Sequence, residues 1–257
     1  MKKLLTLFSL LAFSAGVFSQ ENELKNFRFG LKAMPSVNWY KPDDKKKFES
    51  AGAKIGFAWG MQMEFRLSSI ICLATGLQVD YDRGNLNFLD TAAYYYDTKE
   101  QTIISISDTA GKSYVAYKLN NRYYRTTYVT LPLYLKMKTK EIGMMTYFGE
   151  FGLNTSFRLK TKVNDDVTQY APNFPKSDLT DLQMTDDMNL FKFGLHIGGG
   201  TEYNLSGSTS LLFGLSYNLG FSNVLKKESK YLLRTDAKAL TQNSVANNFA
   251  LTIGILF

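Results

Sequence analysis

The stretch Val245 to Phe257 reads VANNFALTIGILF and constrains the whole chain. Every second residue back from the end is large and apolar: Phe257, Ile255, Ile253, Leu251, Phe249. Between them stand Leu256, Gly254, Thr252, Ala250 and Asn248, mostly small or polar. Alternation with period two marks a strand whose two faces meet different surroundings. The apolar face runs to the last residue, so either a core or lipid must cover it.

The same alternation recurs upstream. It predicts strands over about Phe27–Trp39, Ala53–Phe65, Ile71–Asp82, Tyr123–Met137, Met145–Leu159, Leu190–Tyr203 and Thr209–Phe221. In the second of these, Ile55, Phe57, Trp59, Met61, Met63 and Phe65 oppose Lys54, Gly56, Ala58, Gly60, Gln62 and Glu64. Pro132 interrupts the fourth, where the missing N–H predicts a bulge or a lost ladder bond. The connections run long, short, long, short, long, short, long. The long ones (40–52, 83–121, 161–188 and 222–244) are polar and expected in water. Within the second, Thr102–Ser107 and Ser113–Leu119 flank Asp108–Lys112 as the arms of a hairpin would. Tyr94, Tyr95 and Tyr96 of the same insertion are either a recognition surface or rings that pack the loop down.

After residue 19 no run of 18 apolar residues occurs, which leaves no helical span. A chain that crosses hydrocarbon on strands must close them, because open edges cannot survive there. Short turns on one side and long loops on the other are the asymmetry of an outer-membrane barrel. The expected fold is all-β: an eight-stranded antiparallel up-and-down transmembrane β-barrel with long extracellular loops and both termini periplasmic. Met1-Lys2-Lys3, the apolar Leu4–Phe18, and Val17-Phe18-Ser19 before Gln20 read as a cleaved signal peptide over 1–19. Residues 20–257 then form a single barrel domain in the bacterial outer membrane. Loss of Lys2 and Lys3 takes the formal charge from +7 to +5. This mild basicity suits anionic lipid or lipopolysaccharide, or a plain solvated surface.

A soluble eight-stranded barrel is the structural rival, and it would place the large apolar residues inside. Residue size decides between them. Gly56, Gly60, Gly76, Gly152, Gly194, Gly198, Gly214 and Gly254 crowd the polar face. An eight-stranded barrel has room inside only for packed side chains, so the small face is the lumen and the Phe, Leu and Ile rows face lipid. The lumen is expected to hold Arg28, Lys32, Glu64, Arg66, Asp80, Asp82, Lys136, Glu150, Arg158, Lys192 and Glu202. Their mixed signs predict a cross-linked plug of ion pairs.

Several segments, taken in order, resemble the PorT-like outer-membrane β-barrel family of the Bacteroidetes. They are FRFGLKAMPS (27–36), YVTLPLYLK (128–136), FGEFGLNTSF (148–157), FGLHIGGGTEY (193–203), LSYNLGFSNV (215–224) and the terminal Phe257. The resemblance implies an outer-membrane location. Some members of that family are implicated in secretion and gliding machinery. A terminal aromatic is also what barrel-assembly machinery generally reads.

The chemistry is sparse. Cys72 is the single cysteine, which excludes an internal disulfide and a thiolate metal cluster; it is expected as a small buried side chain. His196 is the single histidine and faces the lumen, with Ser216, Asn218 or Glu202 as possible neighbours. Lipid chemistry would need it at the rim, so an internal hydrogen-bonded histidine is expected. No phosphate loop, metal cluster or basic-aromatic array is present. No residue is therefore assigned as catalytic, cofactor-binding or metal-binding, no cofactor is expected, and neither enzyme activity nor nucleic-acid binding is. Asn154-Thr155-Ser156 matches a glycosylation triplet but lies inside a strand. Thr91 and Thr109, in Asp-Thr-Ala triplets, resemble O-glycosylation sites of exported Bacteroidetes proteins. The expected role is a non-catalytic barrel acting through its external loops, structural or as a subunit of a surface or secretion complex. Its expected partners are outer-membrane lipid and lipopolysaccharide and other envelope proteins. A narrow passive pore is the alternative, and a lipid-modifying barrel enzyme a remoter one.

Overall fold

The computed structural model describes residues 26–89, 92–109, 114–169, 176–234 and 236–257. The expected signal peptide, Thr91, Pro172 and Pro175 lie outside them. The strands are β1 (Phe27–Pro42), β2 (Phe48–Ser50), β3 (Lys54–Arg66), β4 (Ile71–Phe88), β5 (Ala93–Asp97), β6 (Thr102–Ile104) and β7 (Tyr114–Lys138). They continue as β8 (Met145–Gln169), β9 (Lys176–Gln183), β10 (Phe191–Ser206), β11 (Thr209–Gly220), β12 (Glu228–Leu233), β13 (Ala239–Thr241) and β14 (Ser244–Leu256). All fourteen belong to one antiparallel sheet. Among the described residues no helix is long and apolar enough to cross a membrane.

The pairings run β1–β3, β3–β4, β4–β7, β7–β8, β8–β10, β10–β11, β11–β14 and back through β14–β1. Each of these strands sits on one of the alternating segments of the sequence. Their faces divide as the alternation requires: Leu131, Leu153 and Ile253 are about half exposed, whereas Thr130, Ser156 and Thr252 are buried. The strand count differs from the expected eight because β2, β5, β6, β9, β12 and β13 arise within connections that read as polar loops.

The two prolines inside strands, Pro35 and Pro132, each break a ladder without shifting its register, while Pro42 ends β1. Between β4 and β7, pairing runs to Thr75↔Leu133 and resumes at Gln78↔Thr130, skipping Pro132. The Thr75 hydroxyl donates to the Pro132 carbonyl at 2.8 Å. Pro132 still faces Asn154 of β8 in unbroken register, so the outcome is lost ladder bonds and not a bulge. Pro35 does the same between β1 and β14, where Ala33↔Ile253 is followed by Ser36↔Ala250.

The hairpin expected from Thr102–Ser107 and Ser113–Leu119 is not formed. Instead β5 lies between them, pairing β6 on one edge and the start of β7 on the other. The reason is the tyrosine run: Tyr94 is fully buried, and its ring turns inward onto the core while Tyr95 and Tyr96 stay half-buried. The four long connections together build a cap. Its core takes Tyr40 from β1, Phe48 from β2, Tyr94 from β5, Val163 and Val167 from β8, and Leu232 from β12. Isolated hairpins are marginal in water, so this shared core is what holds the cap strands. Gly84 belongs to the same fit: a Cβ there would overlap the Tyr40 ring.

Candidate functional site

The interior is lined by side chains in layers that the registers set. At the short-turn end, Arg28 stands opposite Glu64 on β3. Arg28 Nη1 lies 2.6 Å from Glu202 Oε2. Lys136 Nζ lies 2.7 Å from Glu64 Oε1 and 2.8 Å from Glu202 Oε1. Lys138 Nζ reaches the same two carboxylates. Three cations thus enclose two carboxylates, and both Lys136 and Glu64 are buried. Buried charges are tolerated only when paired in this way. Phe148, Leu212 and Leu256 pack beside them, and Lys136 Nζ lies 3.9 Å from the Phe148 ring centroid.

The next layer is built around a glycine. Gly152 stands between Tyr134 of β7 and His196 of β10 in the two ladders. With no side chain between them, the two rings lean over it and stack at 3.8 Å and 11°. A Cβ on Gly152 would overlap the Leu133 carbonyl oxygen. His196 Nδ1 lies 2.8 Å from Asn218 Oδ1, and Nε2 lies 3.0 Å from Glu150 Oε1. Both ring nitrogens thus meet a side-chain oxygen, which fixes the plane of the ring. Asn154 donates to Asn218, and Asn218 to Asn248, which continues the network across the lumen.

Above this layer lies a cavity of about 60 Å³ lined by Met34, Asn38, Gln78, Asp80, Asp82 and Lys192, among others. Lys192 Nζ bonds Asp82 at 2.8 Å and lies 4.3 Å from the Tyr128 ring. Asp80 accepts from Thr130 Oγ1 at 2.6 Å and Gln78 Nε2 at 3.0 Å.

The cap closes the other end. Arg122 and Asp165 form a fully buried bidentate pair, Nε–Oδ1 and Nη2–Oδ2 both at 2.7 Å. Burial alone would lower the Arg122 pKa; the Asp165 carboxylate more than reverses it and keeps the guanidinium charged. Burial pushes the Tyr94 phenol well above the ordinary tyrosine range. Asp187 is buried and accepts from Ser229 Oγ, from the Lys230 N–H at 2.7 Å and from Gln242 Nε2 at 3.0 Å. It thereby ties the connection after β9 to the one after β11.

Of the eleven charges expected inside, Arg28, Glu64, Lys136 and Glu202 meet in one network. Asp82 meets Lys192, and Glu150 meets His196. Lys32 lies 5.8 Å from the Tyr134 ring, and Arg158 Nε donates to the Asn189 carbonyl. Arg66 lies at the short-turn end, opposite Cys72, and its Nε makes no hydrogen bond. Cys72 is free and buried. Of the three expected neighbours of His196, Asn218 is in contact, Glu202 belongs to the lower network, and Ser216 Oγ makes no hydrogen bond. Thr109 is half-buried in the connection after β6. Among the described residues no group of His, Cys, Asp or Glu is arranged to hold a metal ion. Arg122, Asp165 and Asp187 escape the sequence reading because they lie in segments rich in charge. The signal that could have found the first two is the continued alternation Arg122-Tyr124-Thr126 and Thr161-Val163-Asp165-Val167.

Residues 18–226 match the family model described as outer membrane protein beta-barrel domain. No curated protein matches the chain. Among solved structures, Neisserial surface protein A is 10% identical, with 91% of this chain and 98% of that chain covered and a TM-score of 0.44. OprG from Pseudomonas aeruginosa is 10% identical over 90% of this chain and 95% of its own, with a TM-score of 0.40. A major outer membrane protein from Thermus thermophilus is 14% identical over 91% and 100%, also at 0.40.

Proposed function

The chain belongs to the outer membrane protein beta-barrel domain family of the bacterial outer membrane, and we propose that it is a plugged, non-catalytic barrel whose folded cap is its working surface. In this reading β1, β3, β4, β7, β8, β10, β11 and β14 are the eight membrane staves. Residues 1–19 are a cleaved signal peptide, and 20–257 form one domain. The observation that carries the reading is closure at both ends. The Arg28–Glu64–Lys136–Lys138–Glu202 network fills the short-turn end, and the cap core fills the other. A conducting path would have to cross both.

The finer reading is a PorT-like barrel of the Bacteroidetes, serving as a structural or interaction subunit of a surface or secretion complex. Its partners are outer-membrane lipid and lipopolysaccharide and, through the cap, other envelope proteins. The buried histidine, held by Glu150, Asn218 and the Tyr134 ring, supports a structural role over a catalytic one. The test is conductance of the purified chain in planar lipid bilayers. No steady openings are expected; steady single-channel openings would mean a passive pore and would end the plugged-barrel reading.

A further inference from the structure

A row of cations stands on the outer surface of the wall formed by β4, β7 and β8. The registers set Arg83 opposite Arg125, and Arg125 opposite Lys162. One row nearer the belt, Thr127 faces Tyr81 on one side and Lys160 on the other. These positions alternate with the buried Arg122, Tyr124 and Thr126, so they share the outward face of Val129, Leu131 and Leu133. Like charges directly opposite on neighbouring strands destabilise a sheet. Among the described residues, one acid answers this row: Asp181 accepts from Arg125 Nη2 at 2.6 Å and lies 3.3 Å from Lys162 Nζ. Arg83 Nη1 donates to a main-chain carbonyl, that of Asp82. Lys160 is exposed. The row therefore carries more positive charge than its own acid balances.

Its height matters as much as its charge. Val79, Val129 and Phe157 form the last all-apolar row of the belt on this wall. Arg125 is four residues beyond Val129, about 13 Å along the strand and about 10 Å along the membrane normal at a tilt near 40°. That is the level of lipid headgroups. On the opposite wall the upper rim is aromatic: Phe191, Phe193 and Phe221 stack in sequence, and Trp39 and Phe249 flank Tyr217. Rings suffice to anchor a barrel at an interface; that wall carries Lys41 beyond Trp39, whereas Arg83, Arg125, Lys160 and Lys162 cluster on β4, β7 and β8, and such a cluster points to a specific anion.

We infer that the Arg83–Arg125–Lys162 row docks a phosphate group of an outer-leaflet glycolipid, lipopolysaccharide, whose acyl chains lie along the apolar rows below. Guanidinium forks match phosphate oxygens two at a time, and lysines add point charge. This site rests on the membrane orientation proposed above.

The test uses the full chain folded in nonionic detergent micelles, with binding read by native mass spectrometry. The probes are lipid A, dephosphorylated lipid A and inorganic phosphate. Lipid A is expected to bind, its dephosphorylated form at least tenfold more weakly, and millimolar inorganic phosphate not to displace it. Each interfacial cation is worth about fivefold in affinity, so R83Q/R125Q/K162Q should weaken lipid A on the order of 100-fold. K160Q/K162Q, which leaves the Arg125–Asp181 contact in place, should weaken it about 25-fold, and K45Q/K46Q, away from the row, should not change it. Equal binding by the row variants and the wild type, equal binding of dephosphorylated lipid, or displacement by inorganic phosphate would each overturn the site. Heat-dependent gel mobility separates the two readings. A chain without it is no membrane barrel, and both readings fall; a heat-modifiable chain without the lipid preference loses only this site.

Discussion

The buried Arg122–Asp165 pair gives the sharpest test of the cap. Arg122 and Asp165 side chains are both 0% exposed. The guanidinium also lies 5.7 Å from the Tyr94 ring, while its Nη1 finds no partner. Removing one member of such a pair strands a charge in a dry core and costs about 3–5 kcal/mol. Replacing both with apolar residues of similar volume is about neutral or stabilising, because desolvation of two ions offsets most of their attraction. Asp165→Leu should therefore loosen the cap strongly, and Arg122→Met with Asp165→Leu should restore it. Proteinase K on the detergent-purified chain reads the open fraction when reclosing outpaces cleavage. About 3–5 kcal/mol corresponds to roughly 100- to 4,000-fold faster cutting in the cap strands, with the fragment carrying β10 and β11, which holds no cap strand, left intact. A single variant that cuts no faster than wild type, or a double variant as labile as the single, would refute the assignment of this pair as a keystone of the cap.

Three further outcomes follow from the interior. Lys136→Met leaves Glu64 and Glu202 facing only Arg28 and Lys138, and removal of a buried partner costs about 3–5 kcal/mol; the temperature at which the folded gel band disappears should fall, and an unchanged temperature would count against the network. Gly152→Val drives a branched side chain into the Leu133 carbonyl and between the Tyr134 and His196 rings, so no heat-modifiable band is expected, and a wild-type band would show that the stack is not needed. The Tyr94 pKa is raised by burial, so the neutral phenol stabilises the closed cap fully below the unfolded value near 10. That contribution is lost as pH rises above it. Tyr40 and Tyr124 of the same core are raised by burial too, so absorbance at 295 nm should show a cooperative alkaline step that Tyr94→Phe makes smaller; a titration identical in the variant would sink the claim.

The membrane-facing half of the fold was legible because one physical demand acts on every residue there. Lipid on one side and a tight lumen on the other force strict alternation, so Phe249–Phe257 and its partners could be read two residues at a time. The lumen charges were legible for the same reason: Glu64 and Lys136 lie on the small face of their strands. The cap was not legible, because no single medium surrounds it. Its strands are three to eight residues long, and each contributes one or two core side chains. Leu182, Leu232 and Leu240 look like isolated apolar residues in polar loops until four distant connections converge. The pairing of Tyr94–Asp97 with Tyr114–Tyr117, in place of the expected hairpin, is likewise set by where the Tyr94 ring can be buried and not by local turn signals.

Strand length links these two halves. β7 and β8 each run 25 residues, about 80 Å along the strand and about 60 Å along the normal at a tilt near 40°. The apolar band of an outer-membrane barrel is only about 25 Å tall. More than half of this wall must therefore stand in water, and on it the inward face changes role from lumen lining to cap core: Tyr134 stacks on His196 below, while Tyr124 and Val163 pack against Tyr40 and Tyr94 above. One uninterrupted pair of strands thus positions the plugged lumen, the cation row at the interface and the cap over the mouth. A perturbation at Arg122 or Asp165 acts on the same strands that carry Arg125 and Lys162. Loosening the cap should consequently weaken the cation row as well, whereas Lys136→Met, at the far end of β7, should leave both unchanged.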